Sequence, residues 1–125
     1  MNKVIYGNKI RTSNEDINVF SKEWEEFLKN KSEGDIYAVY SNYESNHTGS
    51  FDFMIGTEEK SGQHSITIPN GEYYMWEVES NDLNGVGEAW YEIWQSDLPR
   101  AFATDFEVYK RDGSIVIYLS IVASV

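Results

Sequence analysis

Glu107-Val108-Tyr109, followed by Gly113-Ser114-Ile115, repeats an earlier pattern of the chain: Ala38-Val39-Tyr40, followed by Gly49-Ser50-Phe51. A helical stretch of similar design precedes each copy, Glu23-Trp24-Glu25-Glu26-Phe27 before the first and Ala89-Trp90-Tyr91-Glu92-Ile93 before the second. Agreement in the order of three elements marks an internal duplication. Each unit reads strand, helix, strand, strand. The expected fold class is α+β, with two such units about a pseudo-twofold axis and a central cleft where they meet.

Working outward, the first helix is expected from Ser13 as N-cap, with Asp16 three residues on. Ile17, Phe20, Trp24, Phe27 and Leu28 follow a helical period, and Gly34 lies beyond the end. The second helix is expected after Asn81-Asp82, to about Ser96. Val86, Ala89, Trp90, Ile93 and Trp94 form its apolar stripe, and Pro99 follows. Strands are expected over 3–11, 35–43, 50–56, 65–68, 72–79, 103–110 and 114–122. Pro69-Asn70-Gly71 and Arg111-Asp112-Gly113 supply turns. With 125 residues and no linker or low-complexity run, residues 1–125 read as one domain, long enough for a hydrophobic core.

Composition narrows the function. The chain lacks cysteine, which removes disulfides and thiolate metal sites. No signal-peptide pattern and no membrane-length apolar run stand in the sequence, so a cytoplasmic location without membrane contact is expected. Asn46-His47-Thr48 matches a glycosylation sequon and reads as chance in that setting. The net charge of -11 repels phosphate backbones and attracts cations, so direct nucleic-acid binding is not expected. Solubility alone would also account for such a charge. Aromatic residues make up 15% of the chain, enough for either an aromatic-rich core or a pocket lined by Tyr and Trp.

Glu107 is the exception within the repeat, standing where the first unit has Ala38. On a strand it shares a face with Asp105 and Tyr109, while Phe106 and Val108 face the other way. A carboxylate in an aromatic, alternating strand either points to solvent or is an anion placed inside the cleft.

The chain resembles the GyrI-like effector-binding family, the small-molecule-binding domain found alone or fused to AraC-type and MerR-type transcription regulators. The resemblance rests on Ala38-Val39-Tyr40-Ser41-Asn42-Tyr43-Glu44-Ser45 with Phe51-Asp52-Phe53-Met54-Ile55-Gly56, and on Ile68-Pro69-Asn70-Gly71-Glu72-Tyr73. Gly87-Glu88-Ala89-Trp90-Tyr91-Glu92-Ile93-Trp94 and Asp105-Phe106-Glu107-Val108-Tyr109 complete it, and the nearest flavour is the stand-alone integron-cassette and AraC-effector type. The resemblance implies an antiparallel sheet with two helices, and a pocket between the halves for cationic or amphipathic lipophilic compounds. It also implies that the acidic pocket residue is the glutamate of Phe106-Glu107-Val108-Tyr109. No helix-turn-helix precedes the domain, so a complete transcription factor is not expected.

A desolvated carboxylate among aromatic rings suits a cation, each ring face adding about 0.5–2 kcal/mol. The candidate ligand-binding residues are Glu107, Tyr40, Phe53, Trp76, Trp90, Trp94, Tyr109 and Tyr118, and ordinary core packing is the alternative for each aromatic. No metal and no cofactor is expected. His47 and His64 lack ligand spacing, and Gly85-Val86-Gly87 lacks the lysine and glycine pattern of a phosphate loop. No nucleophile–histidine pairing is visible. A buried Glu107 with a raised pKa could act as general acid or base, and the wider superfamily includes hydrolases of strained rings. The alternative reading is therefore a hydrolase of an electrophilic small molecule. A protein partner is the third class, with no contiguous acidic run to support it.

Overall fold

The computed structural model describes residues 3–29, 34–46, 48–59, 64–78 and 83–122. Its elements are β1 (Lys3–Ser13), α1 (Ile17–Leu28), β2 (Ile36–Ser41), β3 (Ser50–Thr57), β4 (His64–Ile68), β5 (Tyr73–Glu77), α2 (Leu83–Gln95), β6 (Thr104–Tyr109) and β7 (Ile115–Ser120). The strands form one antiparallel sheet in the order β4-β1-β3-β2-β6-β7-β5.

That order contains the duplication. β1-β3-β2 is mirrored by β5-β7-β6, each third strand lying between the first two of its unit, and the units join along β2 and β6. Ala38 pairs with Glu107 there, so the repeat-equivalent positions face each other across the pseudo-twofold axis. β4 is an addition outside the repeat.

One detail of the expected correspondence shifts. Tyr40 pairs with Phe53 and Tyr109 pairs with Ile115, so Ile115 stands where Phe53 stands, two residues away from Phe51. The Gly-Ser pairs punctuate hairpins of different length, and pleat register fixes the strands independently of them. A shift of two leaves every side chain on its expected face.

Both helices cover one face. α1 lays Phe20, Trp24 and Phe27 on Ala38, Phe51, Phe53 and Ile55. α2 lays Val86, Ala89, Trp90 and Ile93 on Ile115, Ile117 and Leu119. Each fully buried side chain of this size contributes about 1.5–3 kcal/mol. Two helix expectations change. Ser13 ends β1, opposite Ser50, and α1 starts at Ile17 after a turn in which Asp16 N–H donates to the Ser13 carbonyl. Leu28, at the helix end, is exposed. Asn81-Asp82, expected to open α2, and His47 lie outside the described residues.

The other face buries Ile5, Tyr37, Val39, Met54, Phe106 and Val108 without a helix. Connectivity explains how. A flat sheet of this order would separate β4 from β5 by six spacings of about 4.8 Å, roughly 29 Å. Ile68 and Tyr73 are close in sequence, and the chain between them spans at most about 18 Å. The sheet must curl, so that Ile66 and Ile68 from one edge and Tyr73 and Tyr118 from the other pack on a shared core. Gly7 and Gly56 face each other where β1 meets β3, and a Cβ on Gly56 would lie 2.0 Å from the Tyr6 carbonyl oxygen. Only glycine permits that approach.

Candidate functional site

Strand alternation puts Asp105, Glu107 and Tyr109 on the helix-covered face of β6. Glu107 sits at the pseudo-twofold axis and is 2% exposed, opposite Ala38, whose small side chain leaves room for it. Its Oε2 accepts from Tyr40 Oη at 2.7 Å and from Trp90 Nε1 at 2.6 Å, and its Oε1 accepts from Tyr109 Oη. Tyr40 and Tyr109 are repeat equivalents, so one carboxylate is gripped by the same residue of both units. The indoles follow the same symmetry, Trp90 packing on Tyr40 at 5.3 Å and Trp24 on Tyr109 at 4.7 Å.

Burial pushes the Glu107 carboxyl above its usual pKa range, and the three donors pull partly the other way. Burial, and then the neighbouring Glu107, raise both tyrosine hydroxyls, which therefore remain donors.

Asp105 forms a second buried polar centre. Its Oδ1 accepts from the Ser120 backbone N–H and Oγ, and its Oδ2 accepts from Tyr43 Oη and Arg100 Nη2, the last two both at 2.7 Å. Arg100 is held in place by backbone bonds that tie 99–103 to the end of β7, Ala101 N–H to Ser120 O and Val122 N–H to Pro99 O. Phe102, with φ of 52°, folds over the guanidinium at 4.3 Å.

A cleft of about 190 Å³ opens above these groups, lined by Asn14, Phe20, Tyr40, Tyr43, Phe51, Gly87, Trp90, Trp94 and Arg100. Of the sequence-derived candidates, Tyr40, Trp90 and Trp94 line it. Glu107 lies behind Tyr40 and Trp90, and Tyr109 closes the far side of the carboxylate. Phe53 is buried against Phe20 and Tyr40, next to the cleft. Trp76 is elsewhere, in a separate polar hollow of about 370 Å³ with Glu88, Ala89 and Glu92 of α2. Tyr118 is on the opposite face, stacked on Phe106 at 4.7 Å, because it pairs with Phe106 and not with the Glu107 row.

Sequence reading missed Asn14, Phe20, Tyr43, Phe51, Gly87 and Arg100 as cleft residues. Phe20 was legible on the apolar stripe of α1, but Arg100, alone after Pro99, carried no local signal. Among the described residues no cluster of three or more metal-ligating side chains occurs, and no helix is long and apolar enough to cross a membrane.

The chain is thus a duplicated α+β sheet with a buried carboxylate on its axis and an aromatic cleft above it. The model of the integron-associated effector-binding protein family matches residues 2–121, and the chain belongs to that family. The crystal structure of the integron cassette protein VCH_CASS2, from the mobile metagenome of Vibrio cholerae, is similar with a TM-score of 0.83 and 26% identity. The match covers 97% of this chain and 91% of that one. The Bacillus subtilis (strain 168) protein YobU, named as a candidate transcriptional regulator, is 30% identical over 89 residues, 64% of this chain. The matched region is 56% of that relative's length.

Proposed function

We propose that the cleft binds a lipophilic small molecule carrying a positive charge, with Tyr40 and Trp90 as its wall and Glu107 as the anion behind them. The observation that carries this reading is the buried Glu107 carboxylate, two of whose three donors, Tyr40 and Trp90, also face the cleft. Donation from Tyr40 and Trp90 to a carboxylate enriches their rings in electron density, which strengthens attraction of a cation over them. The charge of Glu107 acts through one ring layer in a poorly screened setting. Loose selectivity follows, since flat rings accept many shapes.

A hydrolytic role asks for a carboxyl that reaches the cleft contents. Tyr40 and Trp90 occupy Glu107 Oε2 and stand between it and the cleft, so the binding reading is preferred. The likeness to a candidate transcriptional regulator supports a sensing role, in which a partner reads occupancy of the cleft.

Glu107→Gln tests the proposal. The amide oxygen can still accept from Tyr40 and Trp90, and its NH2 can donate to the Tyr109 hydroxyl, so shape is kept and charge removed. Calorimetric titration of a hydrophobic monocation should show micromolar affinity, about -8 kcal/mol, weakened by about 1–3 kcal/mol in the variant. A neutral isostere should change little. Equal weakening of both ligands would mean that Glu107 only supports the fold.

A further inference from the structure

Arg100 lines the same cleft as Tyr40, Tyr43 and Trp90, and its side chain is 5% exposed. Nη2 donates to Asp105, whereas Nε and Nη1 are buried without a hydrogen-bond partner among the described residues. A guanidinium has donors only, so each buried N–H asks for an acceptor oxygen. Phe102 and Trp90 lie 4.3 Å and 5.6 Å from the guanidinium carbon, measured to the ring centroids. Ring faces attract the charge but accept no in-plane N–H bond of ordinary geometry. Asp105 cannot serve as the missing acceptor without giving up others, since its oxygens already take four donors. Buried donors without partners are rare in folded proteins, and each asks for a reason.

We propose that Arg100 is the acceptor-recognising group of the cleft, and that the molecule bound there carries a carbonyl or carboxylate oxygen which completes the hydrogen bonding of the guanidinium. The inference rests on the cleft being the ligand site. It adds a second chemical requirement to the positive charge. The ligand is then two-ended, its cationic end on Tyr40 and Trp90 over Glu107, and its acceptor end on Arg100. A cation lacking the acceptor leaves Arg100 unsatisfied, and sites built to make a hydrogen bond discriminate strongly against analogues that cannot make it. The Arg100–Asp105 pair is neutral as a unit, so it adds a donor edge without reversing the attraction for the cationic end.

Three probes separate the requirements: benzyltrimethylammonium, its 4-carboxamide derivative, and the neutral 4-methylbenzamide. Each is titrated calorimetrically into the wild-type protein and into Arg100→Lys, which keeps a charge for Asp105 but lacks the planar fork. The carboxamide cation should bind the wild type at least about tenfold more tightly than benzyltrimethylammonium, the scale of one charge-assisted hydrogen bond. In Arg100→Lys that ratio should fall towards one. The wild type also gives a readout that does not depend on the variant folding. Arg11, Arg100 and Arg111 are the arginines of the sequence, and Arg11 and Arg111 are exposed, so a solvent-protected Nε–H resonance belongs to Arg100. It should shift and exchange more slowly with the carboxamide cation than with benzyltrimethylammonium. Equal affinities of the two cations for the wild type, or the same Nε–H response to both, overturns the inference. Binding of 4-methylbenzamide that is lost in Arg100→Lys, with no binding of benzyltrimethylammonium, upholds Arg100 and overturns the cation reading. Failure of all three probes to bind overturns both.

Discussion

Glu107 holds a charge that burial disfavours and three aromatic donors favour, and the balance leaves its carboxyl harder to ionise than an exposed one. The direction fixes the pH behaviour. A folded-state pKa above the unfolded value, which is about 4.3, gives stability that is fully present below the unfolded value. That contribution is lost as pH rises through the folded one. Urea unfolding of the wild type and Glu107→Gln should therefore diverge as pH rises above about 4.3, the wild type losing ground to the variant. A constant difference across that range would place the Glu107 pKa at its unfolded value. The same linkage predicts that a bound cation lowers the carboxyl pKa, so cation affinity should rise with pH in the wild type and stay flat in Glu107→Gln. Part of this residue chemistry was legible in sequence, because strand alternation places Glu107 and Asp105 on one face and the repeat marks Glu107 against Ala38. The donors' convergence was not, since Tyr40 and Trp90 reach Oε2 from another strand and a helix. Arg100 was still less legible, because its path to the cleft depends on pairing with Ile121 beyond the next two strands.

Helix α2 shows a conflict between local preference and use. Gly87 lies within it, where glycine is about 0.8–1.0 kcal/mol worse than alanine. No packing reason is evident, because a Cβ at Gly87 would meet nothing within 4 Å. The open space is the cleft, which Gly87 lines. Gly87→Leu should raise helix stability by about 0.5–1 kcal/mol in thermal or urea unfolding, while its side chain fills the cleft and abolishes binding of the cationic probe. Retained binding in a stably folded variant would move the ligand site away from this cleft. The elements themselves were well foreshadowed. All seven strands and both helices fall close to their expected spans, because apolar alternation and helical periodicity are strong in 50–56 and in 86–94. The start of α1 was misplaced because Ser13, a good cap by type, is claimed by the β1–β3 ladder, a non-local competitor. Trp76 and Tyr118 show the same limit. Their residue type suited a pocket, but strand register alone decides which face and which end of the sheet each occupies.

At the scale of the whole molecule, the pseudo-twofold gathers buried polar groups at the β2–β6 seam while the surface carries most of a net charge of -11. Curling of the sheet could not be read from local patterns, since it follows from the pairing order together with the short link between β4 and β5. The charge acts at longer range than any contact in the cleft. A negative surface with an aromatic, low-dielectric entrance draws field lines inward and raises the local concentration of cations. The Debye length falls from about 30 Å at 0.01 M to about 8 Å at 0.15 M ionic strength, so this steering should fade over that range. Stopped-flow association of the cationic probe, followed by tryptophan fluorescence through Trp90 and Trp94, should slow as salt is added. Association of a neutral isostere should not. The same field opposes phosphate, so random duplex DNA should give no mobility shift at about 0.15 M salt. Equal salt dependence for the two ligands would confine electrostatics to short range. A salt-sensitive shift with DNA would require a local basic surface strong enough to overcome the overall charge. Four of the eight described lysines and arginines argue against one, since Lys3, Arg11, Lys29 and Arg100 each sit within 4 Å of a carboxylate oxygen. With 21 acidic side chains against 10 basic ones, the protein presents to an approaching ligand the negative field expected from its composition.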